Sequence, residues 1–89
     1  MNRLDDKVCV VTGAASGIGR RIAEVYARAG GRVAIADLRT ADAEDAARAI
    51  RDAGGESMAV AMDVTDEAQV VEGIAAVVAR WGKVDVLVS

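Results

Sequence analysis

Residues Thr12 to Gly19 read TGAASGIG, and the apolar run KVCVV leads straight into them. Glycines at 13, 17 and 19 fall where a buried, β-branched strand must turn into a helix. Eighteen residues beyond Gly19 stands Asp37, at the end of a second apolar run, RVAIA. Each part has its own physical use. Glycine accepts positive φ and lets a phosphate group approach the backbone without meeting a Cβ. A helix opening at such a turn offers unpaired N–H groups and the positive end of its dipole to an anion. An acid at the tip of the next strand can accept hydrogen bonds from ribose hydroxyls, and its charge repels a 2′-phosphate. A glycine-rich turn between strand and helix, followed by such an acid, is a pattern that grips a dinucleotide.

The rest of the chain keeps alternating strand and helix. Lys7 to Val11 is a continuous apolar run, as expected of a strand covered on both faces. Ile18, Ile22, Val25, Tyr26 and Ala29 follow at helical spacing, with an Arg20–Glu24–Arg28 ladder on the opposite face. Gly30 and Gly31 stop that helix, and Arg32 to Ala36 form the second strand. Thr40 to Ala53 is helical, with Thr40 as its N-cap and a thin apolar face of Ala43, Ala46, Ala47 and Ile50. A third strand spans Ser57 to Met62, and Asp63-Val64-Thr65 turns into a third helix capped by Thr65. Asp63 is itself open to a capping role, as is Ser16 at the first helix. Val70, Ile74, Val77, Val78 and Trp81 stripe the third helix, Gly82 ends it, and Val84 to Val88 make a fourth strand. The result is an α/β chain of β-α-β-α-β-α-β order, for which short right-handed connections predict a doubly wound parallel sheet in strand order 3-2-1-4. The glycine turn, Asp37 and Asp63 then share one edge, at the C-terminal ends of the strands.

Composition narrows the function classes. The chain has 89 residues, 53% hydrophobic and 28% charged, with a net charge of −3. One globular domain is the most it can form, and a chain of this length buries only about 60–65% of its unfolded surface. Its basic residues are scattered, so no nucleic-acid footprint or membrane-binding face stands out. No apolar run approaches the roughly 20 residues of a membrane span. The start, MNRLDDK, lacks the apolar core of a secretory signal, and one cysteine allows no internal disulfide, so a reducing cytoplasm is expected. Without histidine, imidazole catalysis and His-ligated metals are excluded within these residues, and no metal site is expected. Cys9, Tyr26 and Trp81 lie in apolar stripes and are expected to pack rather than react.

The segment TGAASGIG resembles the TGxxxGxG motif of the short-chain dehydrogenase/reductase family, matching at Thr12, Gly13, Gly17, Ile18 and Gly19. Its 4-then-2 glycine spacing departs from the GxGxxG of other dinucleotide-binding dehydrogenases. The Asp63-Val64 pair after the third strand and the ending VDVLVS are also similar to that family's marks, in order and at family-like separations. The resemblance implies a Rossmann-type domain. It implies that Gly13, Ser16, Gly17, Ile18 and Gly19 hold the pyrophosphate and neighbouring ribose. Asp37 would hold the adenosine ribose, Leu38 would line the adenine pocket, and Asp63 with Val64 would read the adenine. Ser16 and Asp37 stand where NADP-using members often carry a basic residue, so the implied cofactor is NAD, with Arg39 close by.

The family's catalytic Ser and Tyr-xxx-Lys lie beyond the fourth strand. Tyr26 is followed four residues later by Gly30, and the only lysines are Lys7 and Lys83. No catalytic residue is therefore expected here. Residues 1–89 are read as the N-terminal part of a single dinucleotide-binding domain of an NAD-dependent oxidoreductase. That enzyme would move a hydride between nicotinamide and a small secondary alcohol or ketone, with a 3-hydroxybutyrate-type or polyol-type substrate. The family implies a homo-oligomer, usually a tetramer. The alternatives are a non-catalytic nucleotide-binding scaffold, or an NADP-linked ketoacyl-type reductase of the same family.

Overall fold

The computed structural model describes residues 3–89. Its elements are β1 (Val8–Thr12), α1 (Gly17–Arg28), β2 (Arg32–Asp37), α2 (Thr40–Asp52), β3 (Glu56–Ala61), α3 (Glu67–Trp81) and β4 (Val86–Val88). The strands form one sheet in the order β3-β2-β1-β4, every neighbouring pair parallel. This is the Rossmann-type doubly wound arrangement expected from the sequence.

Alternation along the strands assigns the two faces. Cys9, Val11, Val33 and Ile35 point to one side and pack with Ala23 of α1 and Ala43, Ala46, Ala47 and Ile50 of α2. Val8, Val10, Ala34, Ala36 and Val60 point to the other and pack with Val77 of α3. β1 and β2 are thus buried on both faces, which is why their sequences are apolar without interruption. The thin alanine face of α2 is fully buried, and its small side chains let the helix lie close to the sheet. Tyr26 and Trp81 pack against these two cores, as expected. No helix among the described residues is long and apolar enough to cross a membrane.

Register puts Thr12 beside Ala36, and Asp37 beside Ala61, so three strand tips end at one level. β4 pairs with β1 only from Val86, two residues later than expected. The reason is Asp85, whose carboxylate accepts the Val8 N–H at 2.8 Å while its own N–H donates to the Val8 carbonyl at 2.8 Å. A side chain there replaces the main-chain acceptor, and regular pairing starts one residue on. β3 runs Glu56–Ala61 rather than Ser57–Met62, yet the Met62 N–H still donates to the Asp37 carbonyl at 3.1 Å.

Two capping expectations change. Thr40 lies inside α2, and Arg39 occupies the cap position with no side-chain cap. α3 is capped by Asp66, not Thr65: its carboxylate accepts from the N–H groups of Ala68 at 3.0 Å and Gln69 at 3.3 Å. Thr65 is unavailable because its N–H and hydroxyl both donate to Asp63 Oδ1, at 2.9 and 2.6 Å. Of the expected ladder on α1, among the described residues only the Arg20–Glu24 rung closes, at 3.5 Å.

Candidate functional site

The site is the edge where β1, β2 and β3 end. Gly13 leaves β1 with φ of 64° and Gly17 opens α1 with φ of 63°. Both conformations are strained for any residue with a side chain. A Cβ built at either glycine meets no atom within 4 Å, so the outer surface of the turn is bare backbone. Gly19 is glycine for a different reason. A Cβ there would overlap the Gly13 carbonyl oxygen and lie 2.9 Å from the Gly13 carbonyl carbon and 3.1 Å from Ala14 Cα. The first turn of α1 therefore rests directly on the backbone of the glycine turn.

Backbone bonds fix the turn from below. The Gly13 N–H donates to the Ala36 carbonyl at 2.8 Å, and the Ala15 N–H donates to Asp37 Oδ2 at 3.1 Å. Asp37 Oδ1 accepts from the Arg39 N–H at 3.0 Å. Partial burial works to raise the Asp37 pKa. The N–H groups of Arg39, Ala15 and Leu38 and the Arg39 guanidinium together outweigh it and hold the carboxyl below its ordinary value. The acid is thus charged at neutral pH and locked to the glycine turn. At the start of α1, among the described residues, no hydrogen bond uses the N–H groups of Gly17, Ile18 and Gly19. Ser16 is the cap residue, but its hydroxyl makes no cap bond and instead accepts from the Arg39 guanidinium. These amides remain open donors at the positive end of a 12-residue helix.

Asp63 follows β3 on the same edge. Its Oδ1 is taken by Thr65, and the Thr65 hydroxyl, then the Thr65 N–H, hold its pKa below the ordinary carboxylate value against a slight opposing effect of burial. Ile18, Leu38 and Val64 are 81%, 65% and 54% exposed, and all three flank this edge. The structure therefore brings the glycine turn, Asp37, Leu38, Asp63 and Val64 to one ledge. An apolar depression of about 160 Å³ lies elsewhere, between α1 and α2, lined by Ala27, Ile50, Ala53 and Gly55, and holds none of the expected site residues.

Three contacts escaped the sequence reading. The Thr12 hydroxyl donates to the Val88 carbonyl at 3.2 Å, joining the glycine motif to the end of β4. Arg39 bridges Asp37, at 3.8 Å, and Ser16 across the turn. Gln69 accepts the Asp63 N–H at 2.9 Å from the first turn of α3. Its signal was present as a D-x-x-Q pattern at Asp66–Gln69, the form of a helix capping box.

A family model described as short chain dehydrogenase matches residues 7–89, and the chain belongs to that family. It is 46% identical over 87 residues to a sorbitol dehydrogenase of Cereibacter sphaeroides, covering 98% of this chain and 33% of that protein. It is also 46% identical over 87 residues to a D-threitol dehydrogenase of Mycolicibacterium smegmatis, covering 98% of this chain and 34% of that protein. A solved 7α-hydroxysteroid dehydrogenase, complexed with NADH and 7-oxo glycochenodeoxycholic acid, superimposes with a TM-score of 0.93 at 35% identity. That match covers 96% of this chain and 33% of the other. The chain spans about a third of the length of the curated relatives it matches.

Proposed function

We propose that residues 1–89 are the N-terminal, coenzyme-binding part of a single dinucleotide-binding domain in an NAD-dependent oxidoreductase. The observation that carries this is Asp37. Its carboxylate is fixed against the glycine turn by the Ala15 N–H, and a carboxylate offers about four lone-pair sites. Acceptor capacity is left for two ribose hydroxyls. The open N–H groups of Gly17, Ile18 and Gly19 and the bare face at Gly13 and Gly17 suit a pyrophosphate, with Ser16 beside them. Leu38 walls the adenine, and Asp63 Oδ2 with the Val64 N–H contacts its edge. When bound, the coenzyme supplies the hydride chemistry; this chain binds and orients it.

The substrate is a small secondary alcohol or the matching ketone. The sorbitol and threitol dehydrogenases among the relatives favour a polyol over a 3-hydroxybutyrate-type substrate. The catalytic Ser, Tyr and Lys lie outside residues 1–89, and the protein works as a cytoplasmic tetramer.

The test is titration of the intact protein with NADH and NADPH. NADH binds at least tenfold tighter, and Asp37→Ala weakens NADH by about tenfold while narrowing the gap. Tighter binding of NADPH by the unaltered protein overturns the reading. A second reading, use of NADP, has one observation in its favour: the Arg39 guanidinium lies between Ser16 and Asp37, a cation beside the acid that would repel a 2′-phosphate. Under it, Arg39→Ala weakens NADPH selectively; under the first, it leaves the order of the two coenzymes unchanged.

A further inference from the structure

We infer that Gln69 is a positioning residue for adenine recognition, acting from α3 through the backbone of Asp63. The inference rests on the proposed contact of Asp63 and Val64 with adenine.

The geometry departs from an ordinary capping box. In that motif the side chain three residues past the cap reaches back to the cap residue's own N–H. Here the Asp66 N–H is already used, donating to the Asp63 carbonyl at 3.0 Å. The Gln69 amide is therefore free to reach further. Its Oε1 accepts the Asp63 N–H at 2.9 Å, and its Nε2 donates to Asp66 Oδ2 at 3.4 Å. Asp63 is left with almost no freedom. Its N–H is held by Gln69, its carbonyl by Asp66, and its Oδ1 by both donors of Thr65. Among the described residues, the polar groups of this turn that remain unused include an acceptor, Asp63 Oδ2, and a donor, the Val64 N–H.

An acceptor and a donor side by side match the adenine edge, where an exocyclic amino group donates and the adjacent ring nitrogen accepts. Hypoxanthine reverses both, because a carbonyl oxygen replaces the amino group and the adjacent ring nitrogen carries a proton. Discrimination between the two bases depends on the orientation of the Asp63–Val64 peptide. Among the described residues, Gln69 is the only side chain bonded to the Asp63 N–H, and Asp66 caps its helix through the N–H groups of Ala68 and Gln69.

The experiment measures affinities of the intact protein for NADH and for its hypoxanthine analogue. The unaltered protein prefers NADH by at least about tenfold, because the analogue loses the bond to the charged acceptor and the one to the Val64 N–H. Gln69→Met keeps the length of the side chain and removes the acceptor; the preference drops to within about twofold. Gln69→Glu keeps an oxygen in place and retains the preference. A merely structural Gln69 lowers thermal stability in the Met variant and leaves the ratio at its original value, which overturns the inference. Gln69→Ala gives the same reading should the Met variant misfold. No preference in the unaltered protein refutes the adenine contact of Asp63 itself, an outcome distinct from an unchanged ratio in the variants.

Discussion

Gly19→Ala puts the close approach of α1 to the glycine turn under direct test. The added Cβ would overlap the Gly13 carbonyl oxygen and stand 2.9 Å from the Gly13 carbonyl carbon, where ordinary contact starts at 3.4 Å. Both sides of this clash are main chain, so no rotamer relieves it. The helix start and the turn must separate by on the order of 1 Å. Overpacking of this kind costs about 1–3 kcal/mol, while replacing a helical glycine by alanine returns about 1 kcal/mol. The net loss of stability is about 0–2 kcal/mol, a drop in Tm of about 0–8 °C in a protein of the relatives' length. Coenzyme affinity suffers more, because the same displacement moves the open N–H groups of Gly17 and Ile18. A shift of about 1 Å in a positioning element can cost about 100-fold. Gly55→Ala is the matched control. Its Cβ would meet Ile50 Cγ2 at 2.8 Å, at the far end of the strands, so it is strained but remote from the site. Thermal melts and NADH fluorescence titrations of the two variants decide the matter. Gly19→Ala loses affinity far in excess of stability, and Gly55→Ala loses stability alone. Equal effects on affinity, or a Gly19→Ala protein that binds NADH normally, would refute the reasoning.

Three further outcomes follow from the geometry. Asp66→Ala removes the α3 cap and lowers stability by about 0.5–2 kcal/mol in denaturant melts, whereas a Thr65-capped helix would be indifferent to it. The Val8 N–H, then Lys83, hold the Asp85 pKa below the ordinary carboxylate value. A carboxylate depressed in the folded state contributes stability that is complete above its unfolded pKa and is lost as pH falls through its folded pKa. Asp85→Asn therefore destabilises the protein at neutral pH and flattens its acid limb below about pH 4, read from urea midpoints across that range. Burial, and then the Asp85 charge, push the Cys9 thiol up from its ordinary value. Cys9 should resist thiol reagents at pH 8 until the protein unfolds, so a modification rate faster than global unfolding contradicts its place in β1.

Strand order, helix faces and the shared edge were legible in the sequence because uninterrupted apolar runs and 3.6-residue stripes have few alternative readings. β1 and β2 carry enough Val and Ile to be doubly covered strands and nothing else. The glycines of the turn were legible for a similar reason, since positive φ leaves little choice of residue. What escaped was competition among polar side chains. Thr65 and Asp66 are both good caps, and only the capture of Thr65 by Asp63 decides between them. Ser16 loses its capping bond to Arg39, 23 positions away, and β4 starts late because Asp85 reaches across to Val8. Such choices depend on which donors the fold brings near, and a linear pattern holds no record of that. Helical spacing likewise named Val25 and Val78 as apolar stripe residues without showing that they are 49% and 40% exposed.

The bond from Ala15 to Asp37 has a bearing on protein engineering. On the proposed reading of Asp37, a switch of coenzyme preference would begin by replacing the acid. That same oxygen is the keystone under the phosphate turn, so the exchange would slacken the grip on either coenzyme before any new selectivity appeared. A successful redesign has to furnish a substitute acceptor for that amide in the same round of changes.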